Sequence, residues 1–251
     1  MKENKLNTGF FVTFLLLLVL PTPVYAMHIS EGILPFSWAL FWFIASAPFL
    51  AWGLRTLARR SASDLSSKPL AGMVAAVVFI ISCMPVPVPT VGTCSHPCGT
   101  GLAAVVLGPT LGVVVAAVAL LIQALFLSHG GLSTWGANLF AMGVVGSFAG
   151  YFAFRTLRLF GAGPVVAAFA AGLLADWATY AATAMILAAG IRGTSPFWPL
   201  VGKIALAFVP TQLPLGIIEG AITAGMVSLL RNKRPDLLAR TALAASESEG
   251  Q

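Results

Sequence analysis

The feature that most restricts the fold of this chain is a succession of long apolar runs, separated by short segments rich in glycine, proline or charge. Most of these runs reach or approach the roughly 20 residues that an α-helix needs to cross a bilayer. The alternation of apolar and polar residues that marks membrane β-barrel strands is absent. Charged residues make up 9% of the chain, against roughly 25% in soluble domains. We therefore predict an all-α integral membrane protein.

The spacing of the apolar runs predicts a bundle of about seven transmembrane helices within one domain, residues 27–232. The predicted helices lie near residues 36–59, 69–84, 99–108, 110–128, 135–158, 164–190 and 199–231. The third is unusually short for a helix that crosses a membrane. Residues 233–251 are polar and lack apolar periodicity, so we predict a disordered cytoplasmic tail.

The first 26 residues differ from the rest of the chain. Lys2 and Lys5 precede an apolar stretch over residues 10–20, a proline-containing break and a small residue, Ala26. This layout is typical of a secretory signal peptide with its cleavage site. The alternative is an uncleaved first membrane helix, but the apolar stretch is short for a span, which favours cleavage. Removal of residues 1–26 leaves Met27 as a new N-terminus outside the cytoplasm.

Basic residues test this topology independently, because cytoplasmic connections carry an excess of lysine and arginine. With the N-terminus outside and seven helices, the C-terminus is cytoplasmic, and ten basic residues fall on the cytoplasmic side. These are Arg55, Arg59, Arg60, Lys68, Arg155, Arg158, Arg231, Lys233, Arg234 and Arg240. Only Arg192 and Lys203 fall near the opposite side. The charge distribution therefore agrees with the cleaved-signal topology.

The net charge of +6 does not indicate a nucleic-acid partner, because the basic residues are not gathered into a basic patch with interleaved aromatic residues. The partner that the composition does indicate is membrane lipid.

All three histidines, His28, His96 and His129, fall at the predicted outer face. His28 is the second residue of the processed chain, so the Met27 amine, the His28 backbone nitrogen and its imidazole Nδ1 can chelate one metal ion. Such coplanar nitrogen ligands favour Ni²⁺ or Cu²⁺. His96 is the best candidate for a fourth nitrogen. His129 is a weaker candidate ligand, at the start of a Gly130–Gly131 connection.

His96 lies in the segment Cys94-Ser95-His96-Pro97-Cys98, which follows a proline-rich run over residues 85–89. Such a run favours an extended and stiff path, so we expect the loop to hold a defined position. The two cysteines are open to three interpretations: metal ligands, a disulfide in an oxidising compartment, or small buried residues beside the site. If they were catalytic, the chain would be a membrane thiol oxidoreductase.

Several polar residues are placed to support such a site. Two of them, Asp176 and Glu219, fall inside predicted membrane helices, where ionisable groups are costly. We expect these two to form interhelical hydrogen bonds, with orientation of the histidines as the alternative. The polar residues expected nearer the metal ligands are Glu31, Ser95, Gln123 and Asn138.

Three blocks of this sequence resemble the CbiM/NikM family, the metal-capture subunits of energy-coupling-factor (ECF) ABC transporters for cobalt and nickel. The blocks are residues 27–35, 95–102 and 123–138. The resemblance implies a seven-helix fold in a bacterial cytoplasmic (inner) membrane, with the N-terminal segment tucked into the bundle from outside. It also implies a metal ion held by the Met27 amine, the His28 nitrogens and the His96 imidazole.

The Glu31-Gly32 and Leu34-Pro35 pairs look more like the cobalt branch of that family than the nickel branch. We therefore expect Co²⁺, taken up for cobalamin synthesis, as the transported substrate, with Ni²⁺ as the alternative and no organic cofactor. Cys98 departs from the pattern, because the family usually has threonine there. An additional soft ligand or a disulfide at this position could change the affinity.

No phosphate-binding GxxxxGK[ST] motif is present, so we expect a transport subunit without its own ATPase. The resemblance implies separate ATPase subunits and a transmembrane coupling subunit as partners, with a small accessory membrane subunit as a further candidate. A self-sufficient permease or channel is the remaining alternative.

Overall fold

A computed structural model describes residues 25–26, 28–84, 86–88 and 93–238. For residues 25–26, 86–88 and 93–95 it describes the backbone alone. Within these residues, seven helices and three short strands follow one another along the chain. The helices are α1 (Phe36–Ser63), α2 (Ser67–Ser82), α3 (Thr100–Leu107), α4 (Pro109–Phe126), α5 (Trp135–Leu159), α6 (Pro164–Ile191) and α7 (Phe197–Lys233). The strands are β1 (Tyr25–Ala26), β2 (Val86–Val88) and β3 (Thr93–Ser95).

Each of the seven predicted helical positions contains a helix. Five of the described helices, α1, α4, α5, α6 and α7, are long and apolar enough to cross a membrane. The other two are shorter, with 16 residues in α2 and 8 in α3. The structure thus supports a multi-pass, helical membrane protein, while seven complete spans and the orientation of the termini stay predictions.

The three strands form a small sheet in the order β1-β3-β2, which the helical prediction did not include. Strand β2 pairs antiparallel with β3, and β1 pairs parallel with β3, Tyr25 opposite Thr93. The proline-rich run does adopt the predicted extended path over β2. Strand β1 belongs to the segment that we predict to be cleaved, residues 1–26, most of which lies outside the described residues.

The short helix α3 is buried along its whole length. It ends at Gly108, whose φ of 89° is unfavourable for other residues, and Pro109 opens α4 immediately afterwards. The Arg60 side chain, near the end of α1, donates a hydrogen bond of 2.7 Å to the Leu107 carbonyl. A basic side chain at a helix C-terminus satisfies a free carbonyl and complements the helix dipole.

Glycines allow α3, α6 and α7 to approach one another closely. A Cβ on Gly101 of α3 would lie 2.7 Å from the Ala171 carbonyl oxygen and from the Gly172 Cα. A Cβ on Gly172 would in turn lie 2.7 Å from the Glu219 carbonyl oxygen of α7. Small residues at helix contacts are typical of membrane bundles. They bring α6 and α7 against the start of α3, where the His96 loop ends.

Helix α5 is π-helical over its middle part, Leu139–Gly146. Such wider turns are uncommon and frequently lie at functional sites. Asn138 precedes this stretch and Gly146 ends it.

The chain is still ordered past the predicted start of the tail, residues 233–251. Residues 235–238 form a helical turn in which Leu237 is buried, and Leu238 packs against an apolar cluster that contains Val105 and Val227. Residues 239–251 lie outside the described residues, and the disorder of this part of the tail stays a prediction.

Candidate metal centre

The three histidines, which are far apart in sequence, lie together in the structure and form what we call the histidine cluster. The ring centroids of His28 and His96 are 4.7 Å apart, those of His96 and His129 5.5 Å, and those of His28 and His129 6.0 Å. His28 lies ahead of α1, His96 between β3 and α3, and His129 between α4 and α5. Three separate connections therefore supply one imidazole each.

The orientation of the His28 ring is set by Gln123 of α4. His28 Nε2 lies 3.0 Å from Gln123 Oε1, and the amide nitrogen of Gln123 donates a 2.8 Å hydrogen bond to the Ser82 hydroxyl. Because an amide oxygen can only accept, Nε2 carries the proton and Nδ1 keeps its lone pair. A partner of this kind fixes the tautomer that a metal ligand requires.

The backbone that follows His28 is held by polar side chains at the start of α5. Asn138 accepts a 2.8 Å hydrogen bond from the Ile29 nitrogen and donates one of 3.1 Å to the Ile29 carbonyl. The Thr134 hydroxyl donates to the same carbonyl. Asn138, predicted to support the site, therefore holds the main chain next to His28, and Thr134 is a further support that the sequence did not reveal.

The Gly130–Gly131 connection allows the same segment to lie against the loop before α5. A Cβ on Gly130 would be 3.0 Å from the Cβ of His28, and one on Gly131 would be 2.6 Å from the Cα of Glu31. The Glu31 carboxylate accepts a 3.0 Å hydrogen bond from the Ser133 nitrogen. Hydrogen bonds from Ser133 lower the pKa of Glu31. The Glu31 carboxylate thus holds the loop before α5 beside the site.

His96 presents a nitrogen without a partner. Its Nδ1 lies 3.0 Å from the Pro97 carbonyl oxygen, so Nδ1 carries the proton and Nε2 the lone pair. Nε2 is buried and has no hydrogen-bond partner among the described residues. Burial lowers the pKa of His96 to about 4, and burial, followed by the two other histidines, lowers that of His28. Both imidazoles are therefore neutral at pH 7, as metal ligation requires.

The loop that carries His96 is tied to α6 and α7. The Glu219 carboxylate accepts hydrogen bonds from the backbone nitrogens of Cys98, at 2.5 Å, and Gly99, at 2.9 Å. The Tyr180 hydroxyl donates a 3.2 Å hydrogen bond to the His96 carbonyl. The Glu219 side chain is also hydrogen-bonded to that of Asp176 on α6, so the expected interhelical hydrogen bond is present, and Glu219 holds the His96 loop in addition.

Cys98 is a fully buried free thiol, not part of a disulfide with Cys94. Its sulfur lies 3.7 Å from Asp176 Oδ1, on the side of α6 and α7. The remaining predicted site residues are not described: Met27 lies outside the described residues, as do the side chains of Cys94 and Ser95.

The sequence and the fold match known proteins. A family model described as the cobalt uptake substrate-specific transmembrane region, CbiM, matches residues 28–237 of this chain. The chain belongs to the CbiM family. The matched residues contain the three histidines and all seven helices.

Curated CbiM relatives resemble most of the chain. A cobalt transport protein CbiM of Geobacter sulfurreducens is 66% identical over 89% of this chain and 64% of the relative. The chain thus spans less than two thirds of that relative's length. A protein of the same name from Sorangium cellulosum is 57% identical over 85% of this chain and 95% of the relative. A crystal structure of a truncated transition metal transporter superposes with a TM-score of 0.71 and 28% identity, covering 82% of this chain and 98% of that one.

The spacing of the imidazoles in this CbiM-family chain limits what they can bind together. Two imidazoles that bind one metal ion at about 2.0–2.1 Å hold their ring centroids roughly 4.5–6.5 Å apart, depending on the angle at the metal. All three measured separations lie in that range. The nitrogens themselves are less close, since the histidines do not form a triad with ligand atoms all within 4.8 Å. Of the three rings, His28 and His96 form the closest pair.

Proposed function

We propose that this CbiM-family protein captures Co²⁺ at the outer face of a bacterial cytoplasmic membrane, as the metal-binding subunit of an ECF-type ABC transporter. The observation that carries the proposal is the convergence of His28 and His96, with the buried Nε2 of His96 lacking a partner among the described residues. A buried polar atom without a partner is costly, and a metal ion would supply the missing interaction.

The proposed ligands are the Met27 amine, the backbone nitrogen and Nδ1 of His28, and Nε2 of His96. This set requires cleavage after Ala26, because only then does Met27 carry a free amine. The tautomer imposed on His28 by Gln123 leaves Nδ1 available for such a chelate. His129 lies close enough to stabilise the occupied site or to act as a transient ligand during entry.

Cobalt is the proposed substrate because the curated relatives are named cobalt transport proteins. The nitrogen-rich ligand set also suits Ni²⁺, so nickel is the alternative within the same function. We propose further that the N-terminus is outside and the C-terminus cytoplasmic, in agreement with the distribution of basic residues. Energy would come from ATPase subunits through a transmembrane coupling subunit, for a cell that makes cobalamin.

Uptake of radioactive Co²⁺ by cells tests this proposal. Cells that express the chain with its ATPase and coupling partners are expected to accumulate Co²⁺, and inactivation of the ATPase subunits is expected to abolish accumulation. Excess Ni²⁺ measures the preference between the two metals. Equal uptake by the chain alone would contradict the proposal and favour a self-sufficient permease.

The same assay separates transport from thiol chemistry. A Cys94→Ser variant is expected to retain uptake, because the proposed ligands are nitrogens, whereas a thiol oxidoreductase needs both Cys94 and Cys98.

A further inference from the structure

A second group of potential metal ligands lies behind the His96 loop. The Cys98 sulfur and carboxylate oxygens of Asp176 and Glu219 all lie within 4.8 Å of one another, and all three residues are buried. We call this group the thiol–carboxylate cluster. It is distinct from the histidine cluster and is built by the loop before α3 together with α6 and α7.

The cluster contains polar atoms that the protein leaves unsatisfied. Asp176 is fully buried, and its carboxyl group is hydrogen-bonded to the side chains of Cys98 and Glu219. Its Oδ2 atom nevertheless has no hydrogen-bond partner among the described residues. The Thr100 hydroxyl, also fully buried, is likewise without a partner in the described part of the chain. A buried polar group without a partner costs roughly 1–3 kcal/mol. The presence of two such atoms beside a thiol and a second carboxyl group points to a ligand.

The lack of a side chain at Gly146 allows two threonine hydroxyl groups to approach the backbone of α5 near the cluster. A Cβ at Gly146 would lie 2.5 Å from the Thr179 hydroxyl oxygen and 2.9 Å from that of Thr100. The Thr179 side chain is hydrogen-bonded to the Cys98 thiol. The Thr179 hydroxyl therefore borders the thiol side of the cluster, at the end of the π-helical stretch of α5, and can supply a further oxygen ligand.

Charge also favours a cation at this position. With all three groups ionised, the cluster holds three negative charges inside a membrane bundle, and protons or a bound cation must neutralise them. Within the described residues no lysine or arginine forms a salt bridge with either carboxylate. The distance of 3.7 Å between the Cys98 sulfur and Asp176 Oδ1 is near the value of about 3.5 Å expected for a sulfur and an oxygen on one tetrahedral metal ion.

The two clusters are arranged one behind the other along α6. Tyr180 binds the His96 carbonyl, and Asp176, one helical turn earlier near the middle of α6, contacts Cys98. A turn corresponds to about 5.4 Å along the helix axis. His96 and Cys98 are two residues apart on the same loop, so this loop contributes one residue to each cluster.

We infer that Cys98, Asp176 and Glu219 form a second cation site, which receives the transported divalent ion from the histidine cluster on its way through the bundle. This inference rests on the proposed function. The ion exchanges nitrogen ligands for one sulfur and carboxylate oxygens, and protons held by the thiol and carboxyl groups are released as it binds. Glu219 can act as a ligand while it holds the loop, because a carboxylate has about four lone-pair positions.

Titration of the purified, processed chain with Co²⁺ tests the second site, with bound metal counted by native mass spectrometry and absorption recorded in the near ultraviolet. The wild-type protein is expected to bind two equivalents, and the second is expected to produce a sulfur-to-cobalt charge-transfer band. The Cys98→Ser and Asp176→Asn variants are expected to bind one equivalent without that band. Cys83→Ser, which removes a cysteine outside the cluster, is expected to keep both equivalents and the band.

The wild-type spectrum decides the matter even if a variant does not fold. A single equivalent at saturating Co²⁺, or a second equivalent without the sulfur-to-cobalt band, would overturn the second site. A different result would contradict the proposed function. That function predicts that His96→Ala loses the equivalent bound at the histidine cluster and keeps the sulfur-to-cobalt band of the Cys98 site, so retention of both equivalents by His96→Ala would contradict it.

Discussion

Replacing His96 with alanine is expected to weaken Co²⁺ binding at the histidine cluster by roughly a hundredfold or more. Loss of a residue that only orients a metal ligand already costs about 10- to 100-fold in affinity, and His96 is proposed as a ligand itself. Its buried Nε2 is the atom that would be lost. Equilibrium dialysis of the purified, processed protein with Co²⁺ measures the change.

Two further variants make the His96 result specific. His96→Gln keeps a polar side chain of similar volume at this buried position, so it guards against simple misfolding, and it is expected to lose binding as well. His129→Ala removes the imidazole whose ring centroid lies 6.0 Å from that of His28. This variant is expected to retain an affinity for Co²⁺ within about tenfold of wild type, which corresponds to about 1.4 kcal/mol of binding free energy. Wild-type affinity in both His96 variants would remove this residue from the site.

Replacing Glu219 with alanine is also expected to weaken Co²⁺ binding at the histidine cluster, although within the described residues Glu219 forms no hydrogen bond with an imidazole. The carboxylate accepts the backbone N–H groups of Cys98 and Gly99, and each buried donor left without a partner costs about 1–3 kcal/mol. The loop that carries His96 would then be held by fewer contacts. We expect at least about a tenfold loss of affinity, because 1.4 kcal/mol corresponds to a factor of ten, and a lower thermal unfolding temperature.

Matched carboxylate variants test that explanation. Glu219→Gln keeps one acceptor oxygen and is expected to have an intermediate effect. Asp236→Asn changes an exposed carboxylate that pairs with Arg234 near the end of the described chain, and such a surface pair contributes only about 0–1 kcal/mol. It is expected to leave affinity and melting unchanged. If Glu219→Ala behaves like Asp236→Asn, Glu219 does not position the loop.

Helix positions could be predicted closely from this sequence because glycine, proline and charge interrupt the apolar runs where the helices end. The predicted helix near residues 164–190 corresponds to Pro164–Ile191, and that near 110–128 to Pro109–Phe126. The short third helix was also expected, since Gly108 and Pro109 separate it from α4. The π-helical part of α5 was not predictable, because residues 139–146 are apolar in a way that suits an ordinary α-helix equally well.

The candidate site was only partly accessible from sequence. His28 and His96 were identified because of their positions, one next to the predicted cleavage site and one in a constrained loop. The contact between Glu219 and the Cys98 backbone depends on the close approach of α3, α6 and α7, which no local pattern encodes. For the same reason the thiol–carboxylate cluster, with Asp176 on α6 and Glu219 on α7, could not be assembled from the chain alone.

Native mass spectrometry of the protein purified from membranes with Co²⁺ is the most direct test of how the metal is held. The account predicts that Co²⁺ remains bound to chains whose mass begins at Met27, and that chains retaining any residue before Met27 are free of metal at the histidine cluster. Tight Co²⁺ binding by a chain that still starts at Met1, or at Ala26, would contradict the central role given to the new terminal amine beside His28.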